Sequence, residues 1–279
     1  MGLALGGGAA KGLAHIGVIR VLEKAGIEIS YIAGTSMGAL IGGYYAATKD
    51  IAFLENLFLK IGHKDMYGIS HILRKKDGEL FKDKTVLEMI SDQIKKMNVE
   101  DCKIPFSAIA TDVENGDEIV LDSGNLYDAI QASTALPLIF KPATINGRLL
   151  MDGGFVNPVP ADVVKKMGAE FVIAVDVSSR WENLETESLN PIKVYNMIPQ
   201  ALSIIEYQIA RRILKEADIV LTPPVLGYKM FQFGDAKEII RCGENEAKNK
   251  LRDIYRGCGT TPPPKKPFEN FLDFIFYGD

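Results

Sequence analysis

The chain has 279 residues, 47% of them apolar and 24% charged. That balance supports a buried core and excludes a disordered chain. Its 26 glycines and 13 prolines follow no triplet period, which excludes a fibrous protein, and the net charge of −4 argues against a dedicated nucleic-acid binder. Three cysteines, Cys102, Cys242 and Cys258, form no CxxC pair. They exclude a disulfide scaffold and point to a reducing compartment. No apolar run reaches the ~18–20 residues that cross a bilayer. The start, Met1-Gly2-Leu3-Ala4-Leu5, has no basic leader segment. The expectation is a cytoplasmic protein.

Short apolar strands alternate with longer amphipathic stretches along the chain, the pattern of an α/β sheet with covering helices. Residues 2–5 read as a strand, and Gly6 to Gly12 as a glycine-rich turn. A helix over 15–24 follows, with Ile16, Ile19, Val21 and Leu22 on one side. A strand at 31–33 runs into Gly34-Thr35-Ser36-Met37-Gly38, and residues 39–48 form a small-residue, apolar helix. Residues 50–100 read as more polar helices. Residues 105–112 and 118–121 form a hairpin across Asn115-Gly116, and Asn146-Gly147 marks a second hairpin. Residues 170–176 have the continuous apolar centre of an interior parallel strand. A helix over 191–216, a strand at 219–222 and a helix over 236–256 complete the body. Residues 260–267 (TTPPPKKP) read as a breaker-rich linker and 268–279 as an aromatic tail. The whole chain, 1–279, reads as one domain.

Gly34-Thr35-Ser36-Met37-Gly38 is a G-x-S-x-G between a strand and a helix. A serine on such a turn is held in a strained conformation, its hydroxyl projecting from the sheet above a helix N-terminus. The chain has three histidines, His15, His63 and His71, and none in the last 208 residues. The order Ser, then acid, then His therefore cannot be built. A carboxylate is the substitute base, and strand-end aspartates are the candidates. Asp152 has the best context, following Leu149-Leu150-Met151 and preceding Gly153-Gly154. Asp112 and Asp176 read as turn or cap residues.

The turn Gly6-Gly7-Gly8-Ala9-Ala10-Lys11-Gly12 exposes successive N–H groups at a helix start. It is out of register for G-x-G-x-x-G and lacks the lysine that follows the second glycine of a Walker A loop. It fits an oxyanion hole, with Gly7, Gly8 and Ala9 as donors. Lys11 stands either beside a substrate phosphate or against a surface carboxylate.

The blocks Leu5–Gly12, Gly34–Gly38 and Asp152-Gly153-Gly154 resemble, in order, the three blocks of the patatin-like phospholipase family. Residues 135–142 (ALPLIFKP) resemble the family's segment before the aspartate. The resemblance covers roughly residues 2–220. It implies a three-layer α/β/α sandwich with a mostly parallel central sheet. It also implies a Ser–Asp dyad of Ser36 and Asp152, an oxyanion hole from the glycine loop, and lipid or acyl-ester substrates. No cofactor or metal is required, since no H-E-x-x-H or EF-hand loop occurs. Residues 50–80 interleave Phe53, Leu54, Leu57, Phe58 and Leu59 with lysines and an arginine. That suits either a lid on an anionic membrane surface, making the protein transiently peripheral, or a half-exposed helical cap. Acyl transfer by the same dyad, and a non-catalytic anion or nucleotide binder, are the rival readings.

Overall fold

The computed structural model describes residues 1–64, 86–137, 139–178 and 203–261. The apolar run Gly2–Leu5 forms β1, in the middle of the sheet. It pairs in parallel with β2 (Tyr31–Thr35) on one edge and β7 (Val172–Val175) on the other. All four residues of β1 and of β7 are buried, as in strands covered on both faces. Pairing then continues through β3 (Phe106–Asp112), parallel to β2, and β8 (Ile219–Leu221), parallel to β7. Three antiparallel strands complete the sheet: β4 (Glu118–Leu121), β5 (Ala143–Ile145) and β6 (Arg148–Asp152). The turn between β5 and β6 is the expected one, with Asn146 (φ 51°) and Gly147 (φ 78°) both left-handed.

Side chains alternate across the strands, and helices cover both faces. Leu3, Leu5 and Ile32 point into one layer, with α1 (Ala14–Lys24), α2 (Met37–Thr48), α3 (Ile51–Lys64), α4 (Val86–Ile94), α5 (Leu126–Ser133) and α8 (Ala236–Gly257). Ala4, Ala33 and Ile109 point into the other, where α6 (Ala161–Lys166) and the helix α7 over 203–213 lie. This is a three-layer α/β/α arrangement around a mixed sheet that is parallel in its centre. The helices α1 and α8 touch backbone to backbone. A Cβ on Gly17 would stand 2.0 Å from the Ile240 carbonyl oxygen, and one on Gly243 would stand 1.9 Å from that of Ala14.

Two expectations change. The apolar side of residues 51–61 packs into the core: Leu54 and Phe58 are fully buried, and Phe58 stacks on Phe233 with ring centroids 6.2 Å apart. The described part of the 50–80 segment is therefore a core helix rather than a free lid, because its apolar face is already occupied. The helix expected over 191–216 is described from 203 and ends in a 3-10 turn at Leu214–Glu216. Residues 65–80, the tail at 268–279 and most of the 260–267 linker lie outside the described residues, as do His71 and the side chain of His63.

The edges of β3 fix the geometry of the site. Residues 108–111 pair with β4, and 110–112 pair with β6, so β4 and β6 must lie on opposite edges. Residues 106–109 pair with β2, and their overlap with β4 puts β2 opposite β4 as well. Hence β2 and β6 share one edge of β3. The strand β2 runs parallel to β3 and ends with Thr35 opposite Ile109. The strand β6 runs antiparallel and ends with Asp152 opposite Ala110. Two strands meet head-on, and the chain leaves each of them at the junction.

Candidate active site

Ser36 sits where β2 breaks into α2. Its backbone is left-handed and strained (φ 55°, ψ −122°). Neighbouring glycines permit the turn. A Cβ on Gly34 would lie 2.4 Å from the Gly38 carbonyl oxygen, and one on Gly38 would lie 2.1 Å from that of Leu5. The carbonyl of Ser36 accepts from the Ala39 and Leu40 amides, at 2.9 and 3.1 Å, starting the helix. Its own amide donates to Ser133 Oγ at 3.0 Å. The preceding Thr35 hydroxyl donates to the Asn157 carbonyl at 2.7 Å. These bonds hold the turn from three directions and leave the Ser36 side chain for chemistry.

Asp152 arrives at the end of β6, 3% exposed. Its amide donates to the Ala135 carbonyl at 3.0 Å, and its carbonyl accepts the Thr111 hydroxyl at 2.8 Å. One carboxylate oxygen accepts the Gly154 amide at 2.9 Å, and the neighbouring Ser36 side chain favours the charged form of the carboxylate. Burial pushes the Asp152 pKa up to about 6, while these two groups act in the opposite direction. The buried carboxyl is thus close in basicity to a free imidazole, whose reference value is ~6.5.

The glycine loop crosses directly over the serine. A Cβ on Gly7 would stand 3.3 Å from Ser36 Cβ. The Gly7 amide, however, donates to the Pro158 carbonyl at 2.9 Å. Its N–H is engaged in holding the loop to the segment after Asp152, which corrects the expectation that it is a free donor. Gly6 is tied down on both sides: its amide donates to Val175 at 3.1 Å, and its carbonyl lies 2.7 Å from His15 Nε2. Among the described residues no acceptor meets the Gly8 or Ala9 amide, and Ala9 is left-handed (φ 47°). Lys11 is 7% exposed, on the 3-10 turn Ala9–Leu13, so it does not stand on the surface.

His15 is fully buried, and desolvation lowers its pKa to about 4 although its bond to Gly6 raises it. It is a neutral ring donating Nε2–H to the loop backbone. The other strand-end acids close turns. Asp112 accepts the Glu114 amide at 2.9 Å, and Asp176 accepts the Ser178 amide at 2.8 Å. Two neighbours had no sequence signal: Ser133 at the end of α5, and Glu206 on α7. The latter stands beside Gly154, and burial and the Asp152 charge push its pKa up to about 7. A cavity of about 390 Å³ between α1, α3 and α8, lined by Arg20, Glu55 and Glu244, involves none of these residues. Among the described residues no group of three His, Cys, Asp or Glu could hold a metal ion, and no helix is long and apolar enough to cross a membrane.

The Patatin-like phospholipase family model matches residues 3–165, more than half of the chain. A patatin-like phospholipase domain-containing protein of Caenorhabditis elegans is 33% identical over 91% of this chain and 21% of its own length. Patatin-like phospholipase domain-containing protein 7 of Rattus norvegicus is 32% identical over 86% of this chain and 20% of its own length. An uncharacterized NTE family protein of Mycobacterium bovis is 36% identical over 63% of this chain and 48% of its own length. The chain thus spans about a fifth of the two animal relatives and about half of the bacterial one. With a G-x-S-x-G turn, a D-G-G strand end and a glycine loop converging on one junction, the chain belongs to the patatin-like phospholipase family.

Proposed function

We propose that this protein is a serine acyl-ester hydrolase acting on lipid esters of the phospholipid or lysophospholipid class. The observation that supports the reading is the meeting of β2 and β6 on one edge of β3, which brings Ser36 beside the buried Asp152, whose pKa the Ser36 side chain lowers. His15, the one histidine with a described side chain, is turned to the Gly6 carbonyl instead. Asp152 takes the Ser36 proton as Oγ attacks the ester carbonyl, and the carbonyl π electrons move onto oxygen. The amides of Gly8 and Ala9, with no other acceptor among the described residues, are the donors for that oxyanion. Collapse expels the alkoxide, which takes the proton from Asp152. Water then repeats the sequence on the acyl-serine, with Asp152 again the base. Esters suit this site better than amides because the alkoxide leaves more readily. The proposed substrates fit the family membership and the wording of the relatives' names, which speak of phospholipases.

The test is hydrolysis of a short-chain p-nitrophenyl ester and of lysophospholipid by wild type, Ser36→Ala, Asp152→Asn and Asp176→Asn. Loss in the first two variants with retention in the third is expected. Activity surviving in Ser36→Ala would overturn the reading. Product analysis with an added acceptor alcohol separates hydrolysis from acyl transfer.

A further inference from the structure

The mechanism leaves one half-buried acid unused. Glu206 lies on α7, whose residues Ala210 and Ile213 pack into the sheet layer of Ala33 and Ile109. Positions 206, 210 and 213 fall on one helical face. A glutamate therefore occupies the core-facing side of an amphipathic helix, where a carboxyl is costly without a reason. It faces the missing side chain of Gly154. A Cβ there would lie 2.8 Å from Glu206 Oε1 and 3.2 Å from Asp152 Oδ1. Both carboxyls thus border the same small space, and glycine keeps it open.

We infer that Glu206 is a positioning residue for the base, a second carboxyl lodged beside Asp152 whose charge state sets how strongly Asp152 draws the Ser36 proton. The inference rests on the Ser36–Asp152 reading above. Two carboxyls sharing a desolvated space lose their protons in two steps that belong to the pair. The first charge settles on Asp152, because the Gly154 amide donates to it and the Ser36 side chain favours its charged form. Among the described residues nothing comparable donates to Glu206, so the remaining proton stays there near neutrality. Asp152, from β6, is the charged group whose field reaches Glu206. Arg211, the first cation along its own helix, lies over the Tyr207 ring, 5.7 Å from its centroid.

As the pH rises, Glu206 releases its proton to solvent and a second negative charge appears beside Asp152. Moving the Ser36 proton onto Asp152 then relieves a like-charge contact, so the transfer becomes more favourable. The wild-type profile of kcat/KM against pH should climb in two steps, the lower for Asp152 and the upper for Glu206.

The experiment measures kcat/KM for a soluble p-nitrophenyl ester from pH 5 to 9 in wild type, Glu206→Gln and Glu206→Asp, with thermal unfolding as the folding check. Glu206→Gln should match wild type near pH 5.5, lose the upper step, and fall roughly threefold to tenfold below it at pH 8.5. Glu206→Asp should restore the upper step. Superimposable wild-type and Glu206→Gln profiles overturn the inference. So does an Asp variant that behaves like the Gln variant. If Glu206→Gln fails to fold, the rate of fluorophosphonate labelling of wild-type Ser36 decides, and a single ascending step there also overturns it. Ser36→Ala and Asp152→Asn run alongside. Their inactivity with an unaltered Glu206→Gln profile removes this inference alone, whereas an active Ser36→Ala removes the dyad reading as well.

Discussion

The backbone amide of Ser36 donates to the hydroxyl oxygen of Ser133, 97 residues further along the chain and fully buried. That bond is the cross-brace of a strained turn, since Ser36 is left-handed and has a full side chain. In Ser133→Ala the amide loses its partner in a partly buried site, at a cost of about 1–3 kcal/mol. We expect a lower urea midpoint by that amount, and a fall in kcat larger than any change in KM, because the turn positions the hydroxyl rather than the substrate. Equal kcat in both proteins would show that the brace is dispensable.

The glycines of the turn answer to backbone contacts, not to flexibility. Gly38→Ala drives a methyl to within 2.1 Å of the Leu5 carbonyl oxygen, and main chain in the middle of a sheet cannot move aside. The expected cost is about 3 kcal/mol or more. Gly227→Ala is the internal control, with nothing within 4 Å of the added carbon. Its unfolding free energy should stay within about 0.5 kcal/mol of wild type.

His15 gives stability with a definite pH signature. Its folded pKa of about 4 lies below the unfolded ~6.5. Between those values the unfolded chain binds the extra proton. The contribution is therefore complete above pH 6.5 and is lost as pH falls toward 4, by up to ~3 kcal/mol. His15→Gln, which can still donate to Gly6, should show a flatter fall in unfolding free energy between pH 7 and 4.5. It should also keep its esterase activity at pH 7, which a general-base histidine would not allow.

Asp152 has the opposite slope. Its folded pKa of about 6 lies above the unfolded ~3.9, so the folded protein holds the proton longer. Stability from this group is complete below pH 4 and is lost as pH rises through 6, again by up to ~3 kcal/mol. Asp152→Asn should therefore be inactive yet more stable than wild type at pH 7.5 in denaturant titrations. In wild type the acid limb of kcat/KM should fall near pH 6, well above that of an exposed carboxylate. A limb near pH 4 would mean that the carboxyl is solvated in solution.

Much of this was readable from residues alone, for identifiable reasons. Leu3, Ala4 and Leu5, or Val172 to Val175, are apolar without interruption because both faces of a central strand are covered. Asn146-Gly147 has the left-handed preference that its turn demands. Ser36 and Asp152 each stand in a local frame of glycines with its own geometric meaning. What stayed hidden depends on distant register. Nothing near residue 150 says that β6 will take over the edge of β3 where β2 stops. Gly7 looks like its neighbours in the loop, and only Pro158 distinguishes its amide. Ser133 reads as one more small residue at a helix end. Glu206 shares its helical phase with Ala210 and Ile213, but only the packing of α7 on the sheet gives that phase a meaning.

The central placement of β1 has a consequence for the order of events during translation. Of the strands in this sheet β1 is made first, and β2 follows within about thirty residues to cover one edge. Its other edge waits for β7, roughly 170 residues later, and α1 waits longer still for the glycine crossing with α8. Throughout that interval a flat apolar ribbon has unsatisfied amides and carbonyls, the kind of surface that chaperones hold and that pairs with other nascent chains. Growth temperature and synthesis rate should therefore govern the soluble yield of this protein more than the strength of its finished core.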